Sequence, residues 1–183
     1  MRRAEAIALV KEHVKSDAIF KHMLATEAIM RELALHFGED EGLWGMAGLL
    51  HDLDFEMTKA QFERHGMVAA DILKDRVPDA VIRAIASHNC DNTGVKPESR
   101  MEKALIVSDS LSGLLVACAL VMPSRRLQEV KVEGVEKKFR SKDFARSVSR
   151  ERILICEEFG LSKEVFFEMA LRALQRIGDQ LGL

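Results

Sequence analysis

Cysteine and proline are scarce in this 183-residue chain, three of each, and each scarcity excludes something. Cys90, Cys118 and Cys156 stand far apart with no Cys-x-x-Cys pair. This argues against a disulfide framework and for a reducing, cytoplasmic setting. Cys90 lies two residues from His88 and is a candidate ligand by position, though a small buried hydrophobe is the commoner role. Pro78, Pro97 and Pro123 are isolated, and no Ser/Gly-rich tract or internal repeat occurs. No linker is marked, and 1–183 reads as one domain. Excess charge of one sign is missing too: 27 Lys and Arg face 29 Asp and Glu. No global field recruits nucleic acid or an anionic membrane.

Long apolar runs are also lacking. After the basic start, Glu5, Lys11 and Glu12 interrupt any signal-peptide core. The longest apolar stretch, Leu111 to Met122, contains Ser112 and Gly113 and stops at Pro123. It is too short to span a bilayer and reads as a buried helix.

What is present is helical periodicity. From Asp17 to Phe37, Ile19, Met23, Met30, Leu33 and Phe37 recur at steps of three, four or seven. Asp17 is the expected N-cap and Gly38 the C-terminal stop. Further helices are predicted over 2–15, 40–53, 65–76, 79–89, 100–121, 143–159 and 162–180, with the prolines between them. Only "VKVEGV", 130–135, alternates as a strand would. The class is all-α, with a core at 17–120 and a C-terminal helical extension at 121–183. Gly42, Gly45 and Gly48 stand at steps of three. Interior helical glycine costs roughly 1 kcal/mol relative to alanine, so the row predicts close approach of another helix.

Six histidines occur. His36 beside Gly38 is expected to serve a helix end, and His13 in a charged stretch reads as surface. His22, His51, His65 and His88 fall one each on four predicted helices. Asp52 adjoins His51 in "GLLHDLDFE", and Asp109 interrupts the apolar "ALIVSDSLSGLL". A carboxylate among Ile106, Val107, Leu111 and Leu114 is costly unless a cation or hydrogen bonds compensate. Histidine with carboxylate suits Mn, Fe, Co, Ni or Zn rather than Ca. Asp52 has two oxygens and could bridge two ions ~3.5–4 Å apart. Adjacent helical side chains point about a quarter-turn apart, so His51 and Asp52 share a site only near a helix end or across a cleft.

The order His, His-Asp, His, His, Asp resembles the HD-domain superfamily of metal-dependent phosphohydrolases. "LLHDLDF", "RHGMVAADILK", "AIASHN" and "ALIVSDSLSG" carry the resemblance. It implies an all-α HD fold with His22, His51, Asp52 and Asp109 on one metal, and His65 and His88 completing a second ion bridged by Asp52. The missing lysine after the dyad and the missing "GYP" triplet speak against a cyclic-di-GMP phosphodiesterase. The chain is most similar to small stand-alone bacterial HD proteins described only as predicted hydrolases.

Asp52 and Asp54 are the candidate catalytic carboxylates, with Glu56 a further acid. Arg125, Lys138 and Arg146, in the basic stretch 124–152, are candidates for a substrate phosphate. With only Phe139 and Phe144 for stacking there, a small phosphorylated substrate such as a nucleotide is expected rather than a nucleic-acid polymer or a membrane; the oligomeric state stays open. Two rival readings stand beside the hydrolase: a di-iron oxygenase of the same superfamily, and a metal-bearing interaction module without turnover.

Overall fold

Apolar residues at steps of three and four become helices, and no segment becomes a strand. The computed structural model describes residues 1–183. Its helices are α1 (Arg3–His13), α2 (Asp17–Phe37), α3 (Glu41–Leu50), α4 (Phe55–Thr58), α5 (Met67–Leu73), α6 (Asp79–His88), α7 (Cys90–Thr93), α8 (Arg100–Leu120), α9 (Val132–Arg140), α10 (Arg150–Leu154), α11 (Lys163–Arg176) and α12 (Gly178–Leu181). Short 3-10 turns cover Phe62–Arg64, Leu127–Glu129 and Ile155–Phe159.

Helices α2 and α8 are the two axes of the bundle. The first packs against α3, α8 and α11, and the second also takes α6 and α10. Helix α8 is long and apolar enough to cross a membrane by length and composition. In this fold Leu105, Ile106, Val107, Leu111, Leu114 and Leu115 are fully buried. Each such side chain contributes about 1.5–3 kcal/mol, which is the use of an apolar helix at the centre of a bundle. Ile153, Cys156, Phe166 and Phe167 from the C-terminal extension join the same apolar cluster as Met23, Leu50 and Ile85. At α11, Arg172 and Arg176 bind Glu32 of α2 at 2.6 and 2.9 Å.

Several boundaries differ from the sequence reading. Ser16, not Asp17, is the N-cap of α2: its hydroxyl accepts from the Ile19 N–H at 3.4 Å, and Asp17 occupies the first turn. Gly38 ends that helix at φ +68°, as expected. "VKVEGV" is not a strand. Val132, Val135 and Phe139 also lie three and four apart, and α9 turns that face onto the core, with Val135 fully buried. The helix expected over 143–159 begins only at Arg150. Ahead of it Ala145 has φ +45°, and the Arg150 guanidinium donates to the carbonyls of Ala145 (2.7 Å), Val148 (2.8 Å) and Phe144 (2.5 Å). One side chain thus satisfies loop carbonyls that a helix would have satisfied itself.

The glycine row splits by position. Gly42 lies in the first turn of α3, and a Cβ on it would meet only the Asp40 side chain. A Cβ on Gly45 would strike the Arg31 guanidinium at 2.7 Å, and one on Gly48 would strike the backbone of Glu27 at 2.8 Å. The close approach of α2 and α3 therefore depends on Gly48. Alanine there gains ~1 kcal/mol of helix propensity but meets overpacking of about 1–3 kcal/mol. Because the obstruction is backbone, which cannot step aside, the cost falls at the upper end and Gly48→Ala is expected to lower stability by about 1–2 kcal/mol net in urea unfolding. A stabilised variant would contradict the packing.

Candidate metal centre

Four helix ends and one helix middle bring six side chains together. His22 stands in the second turn of α2 and Asp109 midway along α8. His51 and Asp52 follow the last residue of α3, where the chain enters a turn. Leaving the helix lets both side chains face one point. His65 follows the 3-10 turn in extended conformation, and His88 is the last residue of α6. Gly66 has φ +89°, and a Cβ there would lie 2.8 Å from the Ile85 carbonyl and 3.2 Å from the His88 ring. Only glycine lets the His65 segment come this close to α6.

Every imidazole is held through Nδ1. His51 donates from Nδ1 to the Gly48 carbonyl (2.8 Å) and His88 to the Ile85 carbonyl (2.6 Å). His65 Nδ1–H donates to Asp54 Oδ1 at 2.8 Å. The Ser112 hydroxyl donates to the Asp109 carbonyl (2.8 Å), so its oxygen accepts from His22 Nδ1–H (3.0 Å). In the neutral ring that leaves all four Nε2 atoms as lone-pair donors pointing inward. They meet in two pairs, His22 with His51 at 3.2 Å and His65 with His88 at 3.0 Å.

The carboxylates occupy the same point. Asp52 Oδ1 lies 3.4 Å from His51 Nε2, 3.2 Å from His65 Nε2 and 3.7 Å from His88 Nε2, while its Oδ2 lies 3.6 Å from His22 Nε2. Asp109 Oδ1 is 3.1 Å from His22 Nε2 and 3.9 Å from His51 Nε2. Two triads with ligand spacing result, His22–His51–Asp52 and Asp52–His65–His88, sharing Asp52. All six residues expected as ligands are thus brought together.

Burial and charge pull against each other here. Burial pushes Asp109 up, but the hydrogen bond from His22 and its charge bring it down to about 2. Asp52 likewise goes well below the ordinary carboxylate value: burial is outweighed by His51, His65, His88 and His22. Burial lowers His51 to about 4, only partly offset by Asp52, so its ring is neutral. For His65 burial is overcome by Asp52 and Asp54, which raise it to about 9. The group is one that calls for positive charge.

Other expectations do not survive the geometry. Asp54 is neither at a solvated helix end nor open to the cavity. It is fully buried; Oδ1 accepts from His65, and Oδ2 accepts from the N–H groups of Gly66 (2.9 Å) and Ala69 (2.8 Å). It positions His65 and has no oxygen left for a reacting group. Glu56 accepts from the backbone N–H groups of Lys15 and Ser16, closing the α1–α2 turn. Arg125, Lys138 and Arg146 do not line the cavity. Arg125 sits at φ +54° in the turn after α8, Lys138 lies over the Phe144 ring, and Arg146 pairs with Asp143. Cys90 is half-exposed, outside the cluster.

The cavity over the cluster measures about 380 Å³. It is open to solvent, for His22 retains 27% and Asp109 24% of its side-chain exposure. Three of its residues escaped the sequence reading. Phe62 stacks on His65 with ring centroids 4.9 Å apart. Asn89 donates to the carbonyls of Phe62 and His65, fixing the loop that carries both. Arg152 enters from α10. Asn89 follows "AIASH" directly and Phe62 precedes His65 by three, but neither has a periodic or chemical signature in the chain.

Asp54 generates a direct test. Asp54→Ala strands three buried donors, each costing about 1–3 kcal/mol when unsatisfied. In metal-free protein Asp54→Ala is expected to lose about 3 kcal/mol or more, with Asp54→Asn intermediate because one acceptor oxygen remains. A loss within about 0.5 kcal/mol, the range of ordinary surface changes, would contradict the buried, fully engaged carboxylate. Urea unfolding of both variants decides it.

Comparison with known proteins agrees with this geometry. No solved structure matches the chain. Among curated proteins, Ribonuclease Y of Aster yellows witches'-broom phytoplasma is 27% identical over 173 residues, 91% of this chain and 32% of that protein. Ribonuclease Y of Onion yellows phytoplasma is 35% identical over 101 residues, 53% of this chain and 18% of that protein. The chain thus spans about a third or less of the relatives it matches. Relatives named as ribonucleases sit poorly with the expectation that argued against a nucleic-acid polymer. The HD domain family model matches residues 19–114, just over half of the chain and all six clustered residues. The chain belongs to the HD domain family.

Proposed function

We propose that this protein is a metal-dependent phosphohydrolase, with a phosphate ester as substrate and a nucleotide or single-stranded RNA as the favoured class. The observation that carries the reading is the convergence of four inward Nε2 lone pairs on Asp52. Two such pairs at 3.0 and 3.2 Å repel unless a proton or a cation stands between them. The donor set fits Mn, Fe, Co, Ni or Zn. His22, His51, Asp52 and Asp109 would hold one ion, and Asp52, His65 and His88 a second. Bound divalent ions supply polarisation of a phosphoryl oxygen and hydroxide near neutral pH.

The chain's own residues do the rest. Gly48, Ile85, Asp54 and Ser112 lock the tautomers, so that each Nε2 is available without reorganisation. Asp52 turns Oδ1 to His51, His65 and His88 and Oδ2 to His22, so the one carboxylate serves both halves of the cluster. Phe55 and Phe62 pack on His65 and shield that half from water. The exposed remainder of Phe62, which is 44% accessible, offers a flat apolar surface beside the opening. Together with the ribonuclease relatives, it supports a substrate that carries a base. An open cavity speaks for an enzyme over an interaction module, whose ligands would need no entrance.

Metal content separates the two halves. Asp52→Ala is expected to remove nearly all bound metal, while His65→Ala or His88→Ala retains about one equivalent, since only the shared carboxylate serves both triads. Equal content in wild type and in the double histidine variant would make the site mononuclear.

Oxygen dependence separates hydrolase from oxygenase, because ligand identity does not. Phosphate-ester hydrolysis is expected to proceed anaerobically, to stop with chelator and to return with Mn. A panel of mononucleotides and single-stranded oligoribonucleotides sets the substrate length. Turnover requiring dioxygen and an iron pair would replace the hydrolase reading with the oxygenase.

A further inference from the structure

Arg152 is the one arginine or lysine among the residues that line the cavity. It belongs to α10, beyond the 19–114 span of the HD family model. Its backbone N–H is fixed by the Ser149 hydroxyl at 3.2 Å, which sets the first turn of α10 against the cluster. The guanidinium reaches inward and donates through Nη2 to the His88 carbonyl. The same nitrogen stands 4.0 Å from Asp109 Oδ2, too far for a hydrogen bond. The Nε–H is buried with no acceptor at all. A guanidinium carries a planar fork of donors suited to two oxygens at once. Here that fork is only partly used, and its side chain keeps 24% exposure on the cavity.

Two bland roles are open to such an arginine, and neither uses the whole group. Neutralising Asp109 would bring the ions into contact, yet Asp109 turns its other oxygen to His22 and His51. Clamping the end of α6 through the His88 carbonyl occupies one donor and leaves Nε without a partner. Nε is enclosed by the protein, so an acceptor that enters the cavity completes the group at the exposed end of the guanidinium. We propose that Arg152 is a phosphate-binding residue, whose fork grips the oxyanion of a phosphoryl group bound over the cluster. This rests on the phosphohydrolase reading for the identity of the oxyanion. It moves the substrate contact from the basic stretch around Arg125, Lys138 and Arg146 to a single residue on α10. The C-terminal extension then completes the site as well as the core.

The test uses the full chain loaded with Mn, with inorganic phosphate as the probe. Calorimetric affinity and metal content are measured on wild type, Arg152→Gln and Arg152→Lys. Charge-assisted hydrogen bonds of this kind are worth a factor of about ten or more. Arg152→Gln is expected to weaken phosphate binding at least about tenfold while metal equivalents stay unchanged. Arg152→Lys keeps the charge without the fork and is expected to recover only part of the loss. Unchanged phosphate affinity in Arg152→Gln would overturn the proposal. So would affinity that falls only in step with lost metal, the mark of an arginine that merely holds the His88 helix end. If Arg152→Gln does not fold, Arg152→Lys with full wild-type affinity overturns it in the same way. Arginine-dependent phosphate binding without hydrolysis of any ester would uphold this role and sink the hydrolase reading alone.

Discussion

Lone pairs forced face to face are the constraint on which this structure turns. Each of four imidazoles turns Nδ1 to a fixed partner behind it, so in the neutral ring the nitrogen that meets the others in the middle carries a bare lone pair, and a proton taken up there is held only by Asp52 and Asp109. Two carboxylates share the same space, held ionised against the pull of burial. A fold selected for stability alone would fill this space with apolar side chains, because buried polar groups left half-satisfied cost more than they return. The cluster is tolerated because the surrounding shell is rigid, and the rigidity is bought from elements that are otherwise ordinary.

Those elements explain why helix ends recur at the site. Along a helix, neighbouring side chains diverge, so His51 and Asp52 could not both face one point from its interior. Ending α3 at Leu50 frees them, and ending α6 at His88 frees its ring in the same way. Gly48 brings α3 against α2 and hence His51 toward His22, while Gly66 brings His65 against His88. Asp54 then ties His65 to the start of α5 through two backbone N–H groups. Packing distance, chain direction and tautomer are set together, and the loss of any one displaces a ligand atom.

Much of this was legible in the chain. Asp109 announced itself as a carboxylate in an apolar helix, and the ordered histidines pointed to the same centre. Gly48 was readable because a glycine inside a helix has to be offset by contact. Other features carried no local signal. Asp54 looks like any acid at a helix end, and only the tertiary return of His65, Gly66 and Ala69 shows that its oxygens are spent. The basic stretch was misread for a related reason. Arg125, Lys138 and Arg146 share a composition with Arg150 and Arg152, but Arg125 is exposed in the turn after α8, Lys138 lies over an aromatic ring and Arg146 pairs with an acid. Arg150 is consumed by loop carbonyls. Composition located the charge; only the fold says which guanidinium turns inward.

Burial also limits what can react at the centre. Asp52, His65 and His88 are buried, and the space over them is about 380 Å³, toward the small end of ordinary ligand sites. A phosphate reaching Asp52 has to leave bulk water and pass the Phe62 edge on the His65 side or the His22 and Asp109 edge on the other. A single nucleotide unit meets that demand on its own, and a strand meets it where its bases are unpaired and one unit can turn into the cavity. A duplex keeps its phosphates on the outside of a rigid cylinder and cannot bring one to this depth without opening. On the proposed reading, mononucleotide and single strand therefore differ only in what lies outside the opening, beyond the reach of the six clustered side chains. On that reading the choice between them falls to surfaces beside the opening, such as the exposed face of Phe62.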